Sequence, residues 1–366
     1  MIRFLHPPRW TWTLFFVGLG VVALIASACS PMYVIKAGIA EAKILRARQP
    51  LHEVILDPAT DERTKAKLTF VVEARTFAID GLGLDVGDSY TSFAQLDQDT
   101  LALVLSAATR DRFASKTWWF PVVGRVPYKG YFDEDDALKD QQVLEDEGLD
   151  TYLRPPAAFS TLGWFSDPLL STLLRRDEVD LVETVIHELS HNHLFVRGSV
   201  GFNESFATFV GRVGAIEFFC TRQGGGPDTV TCLRAQERWR DYQIFSTFID
   251  DLVDRLQAIY SDTTLSYDQK LEQRRVLFES RLDDFEARVQ PSFEAMTFQS
   301  FLVTPLNNAT LMARMRYYHR LTDFQALLDE HGGLRAAIEH LVVGVGNVED
   351  PYNLLPVPVS TEPNGP

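Results

Sequence analysis

Apolar residues recur at helical spacing through residues 31–56 and again through 59–80. A turn-rich break, "GLGLDVGDSY", follows. The pattern then changes: 98–108 and 117–132 read as strands, the second aromatic and β-branched with glycine and proline punctuation. An acidic cluster after Phe132 starts a helix, and 151–165 reads as extended. Helical spacing returns in "DEVDLVETVIHELSHNHLF", with Val182, Val185, Ile186 and Leu189 as its apolar positions. Asp177, Glu178 and Asp180 give that helix the acidic start its dipole favours. Two periodic stretches within 233–289, separated by "DTTL", predict a helical hairpin, and 307–343 predict further helices. The proline-rich end, 346–366, reads as a disordered tail. The expected class is α+β, mainly helical: an α+β part over 29–165, active-site helices over 166–219, then the hairpin.

Composition adds little to this and charge adds one exclusion. Apolar residues at 46% and charged residues at 23% describe an ordinary globular chain. A formal net charge of -15 argues against nucleic acid or an anionic membrane surface as partner.

The N-terminus changes the picture more. "MIRFLHPPRWTW" has Arg3 and Arg9 and no acid, and the uncharged run 13–28 ends at Cys29. A basic start, a short apolar run and small residues make 1–28 a secretory signal. "ASAC" resembles a bacterial lipobox, although Ala26 stands where leucine is usual. That resemblance implies lipidation of Cys29, with the body exported and membrane-anchored; an uncleaved anchor or plain secretion are the alternatives. Cys220 and Cys232 remain, and an exporting compartment permits a disulfide between them, against two free buried thiols. Their spacing fits no zinc ribbon.

The candidate chemistry lies in the histidine segment. His187 and His191 are four apart, so one helix face carries both imidazoles close enough to share an ion. Glu188 then sits beside the ion, able to take a proton from a bound water. This is the HExxH pattern; the alternative is a solvated helix face with fortuitous histidines. A catalytic zinc takes three protein ligands and keeps one open position. After the break at "RGSVG", "GFNESFATFVG" predicts a second helix with Asn203 near its cap and Glu204 one residue inside. Packed back on the first helix, Glu204 completes a site for one Zn2+ ion; otherwise it is an acid at a helix N-terminus. His193 points to another face and is not expected to be a ligand. Asn307 and Asn308 read as helix caps before substrate contacts.

HExxH followed by "NESFA" is similar to the gluzincin peptidases, which implies Glu204 as third ligand in a zincin-like core. A longer resemblance runs through "PYKGYFDE", "AFSTLGWFSDPLL", "IHELSHNHLF", "FNESFATFVG" and "NNATLMARMRYYHRLTDFQALLDEHGG". Together these segments resemble a family of bacterial predicted aminopeptidases, many of which begin with a lipoprotein-type signal. The resemblance implies hydrolysis of a peptide or protein substrate, aminopeptidase-type, with an endopeptidase or a non-catalytic metal-stabilised scaffold as other readings. It also implies an oxyanion donor from a later helix: "MRYYHR" offers Tyr317, Tyr318 and His319, with Tyr318 favoured, His319 next and core packing as the alternative. One departure is Gly211, where such proteins often carry an acid that orients a histidine; Glu183 is the candidate to replace it.

Overall fold

The computed structural model describes residues 44–96, 103–120, 124–131, 133–155 and 167–356. The expected signal, Cys29 and the extended "AFSTLG" segment fall outside them. Strand β1 (Arg48–Pro50) precedes helix α1 (Leu51–Leu56), so the expected helix over 31–56 is interrupted. Pro50 explains this, since it has no amide to donate and occupies the cap position of α1. Helix α2 (Glu62–Asp80) starts at Asp61, whose carboxylate accepts from the Thr64 amide at 3.0 Å.

Next come β2 (Ser92–Ala94), β3 (Leu103–Ala108), β4 (Trp118–Phe120), β5 (Gly124–Val126) and β6 (Lys129–Tyr131). The single strand expected over 117–132 is thus three short ones. Gly124, at φ +75°, turns the chain within it, and Pro127 follows β5 without an amide to extend a ladder. Helix α3 (Glu134–Asp146), capped by Asp133, leads to β7 (Asp150–Arg154). β8 (Leu169–Leu170) follows. β3 is the centre of an antiparallel sheet ordered β6-β3-β7, with Val104 opposite Arg154. A second sheet is ordered β1-β2-β8, and β4 pairs with β5 alone.

The remainder is helical: α4 (Glu178–His193), α5 (Val200–Thr221), α6 (Val230–Ser261), α7 (Tyr267–Asp284), α8 (Gln299–Val303), α9 (Asn308–Tyr318), α10 (Leu321–His331) and α11 (Leu334–Gly344). α6 and α7 are the expected hairpin. The main core lies among these helices and α2, with Phe202, Phe206, Phe209, Phe245, Phe285, Phe301 and Phe324 fully buried. A smaller core, Leu105, Ala107, Tyr131, Ala137 and Leu144, joins α3 to the β3 sheet.

A buried polar network locks the sheet to the helices. Asp150 accepts from Arg274 at 2.8 Å and from the Asn308 amide at 2.9 Å. The Asn308 side chain donates to the Thr109 carbonyl and accepts from the Tyr260 hydroxyl. Asn307 caps α9 through a reciprocal bond pair with Thr310. Cys220 and Cys232 form a disulfide that ties the end of α5 to the start of α6. The segment read as a tail from 346 is packed through Leu355. Val345–Asn347 and Pro351–Leu354 are 3-10 turns, Pro351 and Leu355 are buried, and Tyr352 lies edge-on to Phe202. Proline there opens a turn. Among the described residues no helix is long and apolar enough to cross a membrane.

Candidate active site

The histidine helix α4 forms where the acidic start and apolar spacing require. Asp177 caps it by accepting from the Asp180 amide at 3.0 Å. Val182, Val185, Ile186 and Leu189 face the core with no exposure. His187 and His191 lie one turn apart along the same helix, beside this apolar stripe.

α5 reaches back to them for two reasons. The first is Asn203, which is not a cap, because the helix begins at Val200. Its buried side chain accepts from the Val196 amide at 2.8 Å and donates to the Val196 carbonyl at 2.9 Å. That pins the loop 194–199 against the helix and puts Glu204 five residues in. The second is Gly211. A Cβ there would lie 2.7 Å from the Glu183 carbonyl and 3.0 Å from the His187 Cβ. The helices cross too closely for the acid expected at this position.

His187 Nε2 lies 3.3 Å from Glu204 Oε2, and His191 Nε2 lies 3.6 Å from the same oxygen. The three ligand atoms are all within 4.8 Å of one another. Tetrahedral zinc with bonds of about 2.0–2.1 Å separates its donors by roughly 3.3 Å, and the two histidine–Glu204 separations suit that ion. The donor chemistry agrees: burial alone would raise the Glu204 carboxyl, yet His191 and His187 hold it well below the usual carboxylate range. The cluster favours positive charge at its centre. Glu188 makes no hydrogen bond or ion pair among the described residues. Burial raises its pKa, against the pull of His187 and His191.

A family model described as "Putative aminopeptidase" matches residues 32–343. The chain belongs to this family. No curated protein and no solved structure matches it. Membership in the aminopeptidase family supports a peptidase-type function. The matched span holds both site helices and α9.

Three expectations about supporting residues change. Tyr318 does not join the histidines. Its ring packs on Phe245 at 4.8 Å and Tyr242 at 5.2 Å within the core. His319 turns elsewhere too, with Nδ1 2.6 Å from Asp250. Tyr317 is the residue at the site, its ring stacked 6.2 Å from that of His187. Glu183 does not orient a histidine: it is buried in ion pairs with Arg212 and Arg238. The His191 Nδ1 has no hydrogen-bond partner among the described residues. His193 is no part of the cluster; its Nδ1 accepts from the Asp85 amide at 3.0 Å.

Sequence reasoning missed Tyr90, Tyr128, Arg316 and Asp167. Glu188 or Glu204 is among the charges that each of the first three experiences, and Asp167 is among those acting on Glu188. One signal was present for the tyrosines. Leu311, Met315 and Tyr318 fall at helical spacing and form the apolar stripe of α9, which leaves Tyr317 facing another way.

Proposed function

We propose that the protein is a zinc-dependent peptidase of aminopeptidase type, exported and anchored through lipid on Cys29. The observation that carries the reading is the convergence of two imidazole nitrogens on one carboxylate oxygen at 3.3 and 3.6 Å, with Glu188 beside them making no hydrogen bond or ion pair among the described residues. Zinc held by His187, His191 and Glu204 would activate a water and polarise the scissile carbonyl. Glu188 accepts the water proton and delivers it to the leaving amine. Tyr317 replaces Tyr318 as the oxyanion donor. Burial, then the nearby Glu204, raise its pKa far above neutrality, so the phenol keeps its proton and donates a hydrogen bond. A purely structural metal site has no use for Glu188. The disulfide between Cys220 and Cys232 supports export, since such bonds persist in oxidising compartments.

The test is a peptide-library digest with the zinc-loaded natural protein and with Glu188→Gln. The expected result is cleavage by the natural protein, with products shortened one residue at a time from the front. The variant should retain zinc and lose about 10²–10⁴-fold in rate. Internal cuts would indicate an endopeptidase. Zinc binding without cleavage by either protein would favour a scaffold and overturn the proposal.

A further inference from the structure

The charge beside the candidate metal site has a feature that peptide hydrolysis alone does not use. Arg316 precedes Tyr317 on α9 and is only 8% exposed. Its guanidinium lies 5.5 Å from the centre of the Tyr128 ring, and Nη2 reaches the Pro127 carbonyl at 3.4 Å. No carboxylate among the described residues comes within ion-pair distance of it. Arg154, at the end of β7, bonds the adjacent Pro155 carbonyl at 3.2 Å and also lacks an acid partner among the described residues.

Several other well-covered arginines are neutralised. Arg212 pairs with Glu183, Arg238 with Asp177, and Arg274 with Asp150. Arg314 lacks an acid too, but it donates to the Ser300 carbonyl at 2.8 Å and lies over Phe301. Its electrostatic neighbours, Tyr152 and Tyr318, include none of the three candidate ligands. Arg316 differs. Burial lowers its pKa first and Arg154 lowers it further, while Tyr317, Tyr128 and Glu204 act in the opposite direction. Geometry ties Arg316 to the site: its carbonyl accepts from the hydroxyl of Ser205, the neighbour of Glu204, and its guanidinium faces the Tyr128 ring. Arg154 is near enough to oppose its charge. Burying an unpaired charge is costly, and an anion bridging the pair would relieve both the burial and the repulsion. In a chain of net charge -15 such a corner would attract an anionic group.

We propose that Arg316 and Arg154 form a subsite for a substrate carboxylate beside the candidate metal centre. The favoured substrates are then peptides with a carboxylate next to the scissile bond. It comes from the free C-terminus of a very short peptide or from an aspartate or glutamate side chain. Arginine suits this task because its planar fork meets both carboxylate oxygens at once. The word substrate rests on the peptidase reading; the carboxylate preference does not.

The test uses the full mature chain carrying Glu188→Gln, so that ligands bind without turnover, in zinc-loaded and zinc-free forms. Isothermal titration compares alanyl-alanine with its C-terminal amide, and alanyl-glutamate amide with alanyl-glutamine amide. One of the carboxylate ligands should bind about tenfold or more tightly than its neutral partner. Which pair shows the preference identifies the source of the carboxylate. Arg316→Gln and Arg154→Gln should each erase the preference while leaving the affinity for the neutral ligand in place. Arg154 is less buried than Arg316, so its variant carries the test if Arg316→Gln fails to fold. Equal affinity within both pairs, no binding of either carboxylate ligand, or equal weakening of charged and neutral ligands by the arginine variants would overturn the subsite. If the natural protein cleaves nothing but the preference persists, the peptidase reading fails and the subsite stands.

Discussion

Tyr317 and Tyr318 are adjacent in sequence and about 100° apart around α9, which decides their roles. Tyr318 packs against Phe245 and Tyr242; Tyr317 stacks near His187. Tyr317→Phe should therefore lower kcat by about 10²–10³ with the melting temperature little changed. Tyr318→Phe should leave kcat near normal and change stability little, because the ring stays packed on Phe245 and Tyr242. Steady-state kinetics and thermal melts of the two variants check this. A kcat loss confined to Tyr318→Phe would restore the residue favoured by family resemblance. That resemblance names a residue type and a neighbourhood. Only the packing of α9 tells one tyrosine from the next.

At the scale of the element, the site depends on how closely α4 and α5 approach. Gly211 permits that approach, since a methyl group there meets the Glu183 carbonyl and the His187 Cβ. Gly211→Ala should cost about 1–3 kcal/mol by forcing the helices apart. It should also weaken zinc binding, because Glu204 and the histidines lie on the two separated helices. A chemical denaturation curve and a competitive zinc titration measure the two effects; an unchanged zinc affinity would contradict the account.

The start of α4 adds a dependence on pH. Burial would raise the Asp177 pKa, but bonds from Arg238 and the Asp180 amide outweigh it and lower the value overall. A folded pKa below the unfolded value of about 3.9 gives stability that is present above that pH and lost as pH falls through the folded value. Asp177→Asn keeps the capping oxygen and removes the charge. The stability gap between the natural protein and this variant, read from urea midpoints, should be present at pH 7 and close below about pH 4. A gap that widens in acid would show that the sign is wrong.

Across the whole molecule, what was legible in the sequence follows the range of the interaction. His187, Glu188 and His191 share one helix, so spacing alone brings them together. Glu204 could be anticipated because only the short loop 194–199 separates its helix from theirs. Tyr128, Arg154 and Arg316 come from two strand ends and a distant helix, and no local pattern links them. What brings β7 and α9 together is the buried network around Asp150 and Asn308, with Arg274 supplied by the hairpin. The tail misled for a related reason: its proline content resembles disorder, while Tyr352 and Leu355 find partners on distant helices. The mainly helical class was readable from periodicity, but the division of 117–132 into three strands depended on punctuation within an aromatic run. The central claim is the metal centre, and its most direct test is the zinc content of the purified mature chain, with X-ray absorption at the zinc edge. The account predicts one zinc per chain bound by two imidazole nitrogens and a carboxylate oxygen, retained in Glu188→Gln and lost in His187→Ala, His191→Ala and Glu204→Ala. A natural protein without zinc affinity, or a Glu204→Ala variant that binds zinc as tightly as the natural one, would contradict it.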